Sequence, residues 1–281
     1  MSLEFKGKYL ITGRLICKSG LHIGGSTEGF EIGGVDNPVI KDPLSDQPYV
    51  PGSSLKGKLR HLLEWSLGPN ANTGKPHHFT EETRRDRTEF KPCSCGKCAA
   101  CQIFGVATDK PETRSEAGPT RLTVRDAFLT RDEDPRNPKS FYSQQELTQL
   151  LGEDLYTEIK TENTLDRVTS EANPRPMERV PAGAAFDVEM IFDVYDANDK
   201  NLLRSLFTAM HLLENSSLGG SGSRGHGQVS FADLKMEFRS LDYYRNGDGI
   251  KNVRMPMSAK DVVNQFDKVD WQFPSFSQIR P

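Results

Sequence analysis

The chain has 281 residues, a net charge of -3 at neutral pH and 35% hydrophobic residues. This length is enough for one large domain or two small ones with a substantial core. The sequence lacks the run of about 18 apolar residues that a membrane-spanning helix needs, and its first residues lack the apolar core of a signal peptide. We therefore expect a cytoplasmic protein without membrane contact. The slight negative charge disfavours a nonspecific nucleic-acid binder, so such binding would have to use local basic patches.

The first predicted elements are a strand and a helix. Residues 8–18 are rich in β-forming residues and predict a strand, whereas residues 54–67 place leucines on one helical face and predict a helix that ends at Gly68 and Pro69. Gly57 inside this helix costs about 1 kcal/mol relative to alanine, which indicates that something packs closely there. RNA backbone or a neighbouring subunit would fit, and so would a tight helix–strand crossing within the chain.

The segment before this helix combines a carboxylate with a possible anion site. Asp36 lies in a glycine-rich stretch, and a Pro-Gly-Ser-Ser turn then opens the helix. A helix N-terminus offers unpaired N–H groups and a favourable dipole to anions. We therefore expect Ser54, Lys56 and Arg60 to contact phosphates of a nucleic-acid backbone. The alternatives are an ordinary turn residue for Asp36 and a solvated charged face for the cations.

Four of the five cysteines are crowded into nine residues: Cys93, Cys95, Cys98 and Cys101. Disulfides are rare in the cytosol, and such crowding suits a metal better than two bridges, with free or redox-active thiols as the alternative. Four thiolates can surround Zn²⁺ and leave no open position for catalysis, so we expect a structural zinc site. The CxC half is tighter than usual, so His77 or His78 could replace one thiolate.

The second half of the chain predicts two further strands around a helix. Residues 120–129 alternate and predict a half-buried strand with Leu122, Val124 and Phe128 on one side and arginines on the other. Residues 185–195 give the clearest strand, and a helix capped at Asn198 or Asp199 runs to about residue 214. A glycine-rich loop and a strand at residues 228–239 follow. This order fits an α+β fold with a ferredoxin-like or RRM-like sheet.

The glycine-rich loop holds five glycines within nine residues. Such a loop can turn successive N–H groups toward phosphates. It lacks the GxxxxGK[ST] pattern of a P-loop, and it follows a helix and precedes a strand, the reverse of a dinucleotide-binding fingerprint. We expect it to contact a nucleic-acid backbone rather than to be a flexible linker. The residues expected to do so are Gly219, Gly220, Ser223, Arg224 and His226.

Several segments, in order, resemble one family. They are IGGVDNPVIKDP with YVPGSSLKGKLR, then TENTLDRVTSEANPRPMERVPAGAAF, then SLGGSGSRGHGQV. Together they make most of residues 8–240 similar to the Csm- or Cmr-like backbone subunits of type III CRISPR effector complexes, in the RAMP superfamily. The resemblance implies a core over residues 1–240, with a zinc-knuckle insertion at about 69–119 and a protruding thumb at about 160–182. Residues 241–281 would form a C-terminal extension.

The resemblance also implies a function. Such a subunit binds guide CRISPR RNA, stacks in copies along it beside other effector subunits, and cleaves complementary single-stranded target RNA at regular intervals. Asp36 falls on the aspartate to which that cleavage is attributed, and it would act with Mg²⁺ or another divalent metal. The alternatives are a guide-binding scaffold that does not cut, or a RAMP enzyme that processes guide precursors. His22 could carry a proton or contact phosphate, although a lone histidine is more often structural.

Overall fold

In a computed structural model, the described residues are 3–25, 38–68, 80–84, 87–106, 111–131, 141–152 and 155–274. The strands are β1 Gly7–Cys17, β2 Tyr49–Val50, β3 Thr80–Arg84, β4 Arg87–Lys91, β5 Leu122–Val124, β6 Ala127–Leu129, β7 Glu158–Leu165, β8 Ala172–Arg179, β9 Ala185–Val194, β10 Val229–Ser240 and β11 Ile250–Val253. The helices are α1 Gly52–Ser66, α2 Ala99–Phe104, α3 Pro111–Ala117, α4 Gln144–Leu151, α5 Asp199–Glu214, α6 Leu241–Asn246 and α7 Ala259–Gln265.

One antiparallel sheet organises the molecule. Its strands lie in the order β11-β10-β1-β9-β6-β2, and β5 also pairs with β9. β1 is central and pairs with β10 on one side and β9 on the other. The predicted strands at residues 8–18, 185–195 and 228–239 are confirmed as β1, β9 and β10. β3 pairs with β4 and β7 with β8 in two separate hairpins.

The predicted helices at residues 54–67 and 198–214 are confirmed as α1 and α5, which pack together beside the sheet. Their apolar faces bury Leu55 and Leu59 from α1 and Phe207 from α5. Burial of such side chains from water contributes about 1.5–3 kcal/mol each. In the described part of the chain, none of the helices is long and apolar enough to span a membrane.

The segment after β10 packs on this same core. β11 extends the sheet beside β10, and α7 packs against α5. Trp271 is buried between Phe207 and Phe266, and its carbonyl oxygen accepts a hydrogen bond of 2.6 Å from the Tyr9 hydroxyl. The described part of the C-terminal segment therefore belongs to the hydrophobic core, while a domain boundary at residue 240 stays a prediction.

The predicted strand at residues 120–129 is broken in two. Arg125 and Asp126 separate β5 from β6, and the Asp126 carboxylate accepts a hydrogen bond of 2.7 Å from the backbone N–H of Gly52 at the start of α1. The break shifts the alternation, so that Leu129 is buried and Phe128 is 47% exposed. The prediction that Phe128 shares a side with Leu122 is therefore wrong.

Gly57 lies on the exposed side of α1. A Cβ atom added there would meet no described atom within 4 Å. A tight crossing within the described part of the chain is therefore wrong as the reason for this glycine. RNA backbone or a neighbouring subunit stays the predicted partner that packs against Gly57.

A buried ion pair joins the segment before β5 to α5. The Arg121 Nε donates to Asp199 Oδ1 at 3.0 Å, and the two side chains are 3% and 0% exposed. Asp199 also accepts hydrogen bonds from the backbone N–H groups of Tyr195 and Asp196, at 2.6 and 2.9 Å. Burial raises the pKa of the Asp199 carboxyl above its ordinary value. Because burial of a charge is costly without a partner, each side chain depends on the other.

We predict that Asp199→Ala lowers the free energy of unfolding by about 3–5 kcal/mol, because it leaves the buried Arg121 without its main counter-charge. Urea denaturation of the purified subunit measures this loss. Asp267→Ala is the control, since Asp267 forms an ion pair at the surface with Arg204 of α5. The control should cost less than about 0.5 kcal/mol, and equal losses would contradict the prediction.

Candidate functional site

Asp36 lies outside the described residues, but the residues that flank its segment are described. The N–H of Gly25 donates to the carbonyl of Pro38 at 3.1 Å, and the N–H of Ile40 donates to the carbonyl of Ile23 at 2.8 Å. The chain that leaves at Gly25 therefore returns beside it at Pro38.

Glu178 of β8 holds the returning segment. Its buried carboxylate accepts hydrogen bonds from the Val39 N–H at 2.8 Å and the Thr157 hydroxyl at 2.6 Å, and it pairs with the Lys41 ammonium at 3.0 Å. Burial raises the pKa of Glu178, but these partners outweigh burial, and the pKa lies below its ordinary value. Residues 38–41 are thus attached to the base of the β7-β8 hairpin, called the hairpin below.

His22 is part of the same support. Its ring is 3% exposed, and Nδ1 donates to the Glu178 carbonyl at 2.7 Å. Its own carbonyl accepts a hydrogen bond of 2.8 Å from the N–H of Gly220. These contacts give His22 a structural role between the hairpin and the glycine-rich loop.

The glycine loop, residues 218–228, is closed by hydrogen bonds. The Leu218 N–H donates to the Gly227 carbonyl at 2.8 Å, and the Gly227 N–H donates to the Gly20 carbonyl at 2.9 Å. Gly219 and Gly227 have φ of +73° and +74°, and a Cβ at either position would overlap a carbonyl oxygen. Both positions therefore require glycine. Such a loop is held in one conformation, unlike a free linker.

The glycine loop presents some predicted residues and buries others. Ser223 and Arg224 are exposed, whereas His226 is 1% exposed behind the loop. Gly219 and Gly220 lie against the backbone of His22. A groove of about 600 Å³, lined by Arg224 and by residues of the hairpin, lies on one side of the loop, and a polar groove of about 570 Å³ lies on the other. Of the predicted loop residues, Ser223 and Arg224 thus expose their side chains along these grooves.

The predicted cations of α1 are engaged within the chain. The half-buried Lys56 ammonium donates to the Leu122 carbonyl at 2.9 Å, and burial lowers its pKa. Ser54, two residues earlier, is partly exposed. Because Asp126 already accepts from the first N–H group of α1, a phosphate at this end would face a carboxylate.

Arg60 connects α1 to the cysteine-rich segment. Its guanidinium donates to the carbonyl of Cys93 at 2.8 Å, to the carbonyl of Gly105 at 3.0 Å and to the Glu64 carboxylate at 2.8 Å. The buried Glu64 in turn accepts from the Cys93 N–H at 3.1 Å. Through these contacts Arg60 has a structural role that the sequence did not indicate. Contact between Arg60 and RNA stays a prediction.

The four clustered cysteines come together in space. All four sulfurs lie within 4.8 Å of one another, with 3.8 Å between Cys93 and Cys98 and 3.9 Å between Cys95 and Cys101. With Zn–S bonds of about 2.3 Å, a tetrahedral site separates its sulfurs by about 3.8 Å. Hydrogen bonds from the other thiols lower the pKa of Cys93. The cluster could therefore hold a metal ion, whereas His77 and His78 lie outside the described residues.

The described contacts thus divide the predicted residues into two groups. The glycine loop, His22 and residues 38–41 meet at the base of the hairpin, whereas Lys56, Arg60 and the cysteines meet around α1. Sequence reasoning did not single out Asp126, which accepts from the Gly52 N–H, or Glu162, which contacts Arg224 and His226 of the glycine loop. Their partners are distant in the chain or follow no local pattern, so the sequence carried no signal for them.

Comparison with known proteins gives the family. The model of the RAMP superfamily matches residues 14–230. The chain is 42% identical over 258 residues to the CRISPR system Cms endoribonuclease Csm3 of Methanothermobacter thermautotrophicus, covering 88% of this chain and 93% of that protein. It is 36% identical over 272 residues to the protein of the same description from Methanocaldococcus jannaschii, covering 95% of this chain and 96% of that one.

Among solved structures, the chain is similar to the crystal structure of the Csm3-Csm4 subcomplex in the type III-A CRISPR-Cas interference complex. The TM-score is 0.55 at 29% identity, and the alignment covers 95% of this chain and 98% of that one. The antiparallel sheet and the ordered sequence motifs agree with this likeness. The chain therefore belongs to the RAMP superfamily, and within it to the family of the Csm3 proteins.

Proposed function

We propose that this protein is a backbone subunit of a type III CRISPR ribonucleoprotein, which binds guide RNA along its length and cleaves complementary target RNA. The observation that carries the proposal is 42% identity, over 88% of the chain, to a protein described as a CRISPR system endoribonuclease. The likeness to a Csm3-Csm4 subcomplex supports assembly with other effector subunits. Copies of the chain would stack along one guide, and base pairing would supply sequence specificity.

The finer architecture is part of this proposal. The order of β1, α1, β9, α5 and β10, with antiparallel neighbours around β1, supports a ferredoxin-like core. The hairpin would be the thumb. Its exposed apolar side chains Leu165 and Val168, 56% and 92% exposed, support insertion of its end between the bases of a guide–target duplex.

Guide RNA would lie along the glycine loop. The closed loop with the exposed Ser223 and Arg224 supports backbone contacts that do not read sequence. On α1, Ser54 and the exposed surface at Gly57 would add contacts, and Lys56 would turn from the Leu122 carbonyl toward a phosphate.

Cleavage would depend on Asp36. Its carboxylate would orient a ribose 2′-hydroxyl for attack on the adjacent phosphate. A divalent metal such as Mg²⁺ would supply Lewis acidity for the charge that develops there. Among the described residues, the cysteine cluster is the one group of three or more His, Cys, Asp or Glu side chains placed to share an ion. In this proposal a catalytic ion would be held by Asp36 and by oxygens of the RNA itself.

We predict that Asp36→Ala abolishes target cleavage in the reconstituted complex while guide content and target binding stay unchanged. Denaturing gels of labelled target RNA measure the cutting. Asp42→Ala is the control, because the exposed Asp42 side chain bonds to Ser45 in its own turn. If the Asp36 variant cuts at the wild-type rate and positions, the subunit is a scaffold and the catalytic assignment fails.

For guide binding, we predict that Arg224→Ala weakens affinity uniformly across guide sequences and flattens its salt dependence by about one unit of slope. The reason is the loss of one exposed cation that faces the groove. Filter binding of labelled guide at several salt concentrations measures both effects. Arg254→Ala, at an exposed arginine just after β11, should change neither. An unchanged salt slope in Arg224→Ala would reject the glycine loop as a phosphate contact.

We also propose that the metal in the cysteine cluster is a structural Zn²⁺, because four thiolates with tetrahedral spacing suit that ion. We predict about one zinc per chain by elemental analysis, lost in Cys98→Ser/Cys101→Ser together with cooperative unfolding of the purified subunit. Cys17→Ala is the control, since this buried cysteine lies in β1, outside the cluster. Zinc retained by the double variant would exclude these ligands.

A further inference from the structure

A single carboxylate connects the glycine loop to the hairpin. Glu162 of β7 contacts His226 Nε2 at 2.9 Å and Lys160 Nζ at 3.3 Å through Oε1, and Arg224 Nε at 3.1 Å through Oε2. Two of these partners lie in the glycine loop, more than sixty residues away in the chain, at a separation of 64 for His226. Both oxygens of Glu162 therefore hold the glycine loop against the hairpin.

The contact with His226 shows which nitrogen of that ring donates a hydrogen bond. The ring is 1% exposed, and its Nδ1 is buried without a hydrogen-bond partner among the described residues. Because the Glu162 carboxylate can only accept, Nε2 is the nitrogen that donates to it, and the Lys160 ammonium lies 3.3 Å from the same nitrogen. The same hydrogen bond lowers the pKa of the Glu162 carboxyl, which is thus ionised at neutral pH. The loop is anchored by a buried donor and a charged acceptor.

The contact with Arg224 sets the direction of an exposed cation. The Arg224 Nε pairs with Glu162, and NH2 donates to the Ser221 hydroxyl at 2.7 Å. Arg224 lines the groove of about 600 Å³ together with Arg175 and Met177 of the hairpin. An isolated surface ion pair contributes little. Here the carboxylate also holds a buried ring, so one side chain of the hairpin contacts two loop residues at once.

We propose that Glu162 is a positioning residue, which fixes the glycine loop on the hairpin and thereby sets where paired target RNA is cut relative to the guide. This inference rests on the proposed function, in which the glycine loop contacts the guide and the hairpin enters the guide–target duplex. Glu162 also lines this groove beside Arg224, but both of its oxygens are engaged by loop residues. Its effect would pass through Arg224 and His226.

The test is Glu162→Gln in the reconstituted complex. Glutamine keeps the size of the side chain and one hydrogen bond to His226, and it removes the negative charge that Arg224 and Lys160 face. We expect guide content within twofold of wild type, single-turnover cleavage reduced about tenfold, and cut sites spread over neighbouring nucleotides. Combining Glu162→Gln with Arg224→Ala should cost less than the product of the two single effects, because both act through the same guanidinium.

Glu158→Gln is the matched control. Glu158 lies on the same face of β7, and its ion pair of 2.7 Å is with Arg179, its partner across the hairpin. It should leave the cut positions and rate at wild-type values. Glu162→Asp keeps the charge on a shorter side chain and should restore part of the rate. Equal effects of the two glutamine variants would overturn the proposal, because they would mean that the loss of any negative charge on the hairpin is enough.

The other possible outcomes also support or reject the positioning role. Cutting by Glu162→Gln at the wild-type positions and rate rejects the positioning role. Should Glu162→Gln prevent assembly, Glu162→Asp becomes the measured variant: displaced cut sites support the role, and wild-type sites and rate reject it. A wild-type complex that carries no guide or cuts no target overturns the proposed function instead, so the two failures are distinguishable.

Discussion

Three buried carboxylates attach segments between the main elements of this chain to its helices and to the hairpin. Glu64 anchors the cysteine-rich segment on α1, Asp199 anchors the segment before β5 on α5, and Glu178 anchors residues 38–41 on the hairpin. A buried charge must be paired and hydrogen-bonded, because leaving it alone costs several kcal/mol. Each carboxylate therefore allows one arrangement of its segment.

The hairpin shows why such anchors are needed. A two-stranded ribbon is at best marginally stable by itself in water, and most residues of β7 and β8 are exposed. Its base is held by Glu178, through Val39 and Lys41, and its middle by Glu162, through the glycine loop. The end of the hairpin is thereby free to meet a ligand while its base stays in place. Rigid support beneath an exposed end suits recognition of a duplex by shape.

Among the described residues, no contact that we identify joins the group around α1 to the group around the glycine loop. In the proposed function, both groups contact RNA. At the glycine loop, a closed backbone presents an exposed arginine. At α1, the cations are already paired with carbonyls and carboxylates, and Asp126 occupies the helix start. Binding there would exchange internal hydrogen bonds for phosphate contacts, whereas the exposed Arg224 keeps N–H groups beyond those that pair with Glu162 and Ser221. The loop is therefore the better-prepared surface.

The sequence by itself determined the main elements and the kind of site. Alternation in β9, the leucine stripes of α1 and α5, and four cysteines in nine residues are local patterns, and local patterns follow from periodicity and ligand spacing. The ordered motifs also indicated the family. What the sequence could not determine is which distant groups pair. The break at Arg125 and Asp126, the attachment of Arg60 to the Cys93 carbonyl and the contacts of Glu162 were decided by the tertiary structure, because a hydrogen bond between remote residues depends on strand register and packing that no local pattern encodes.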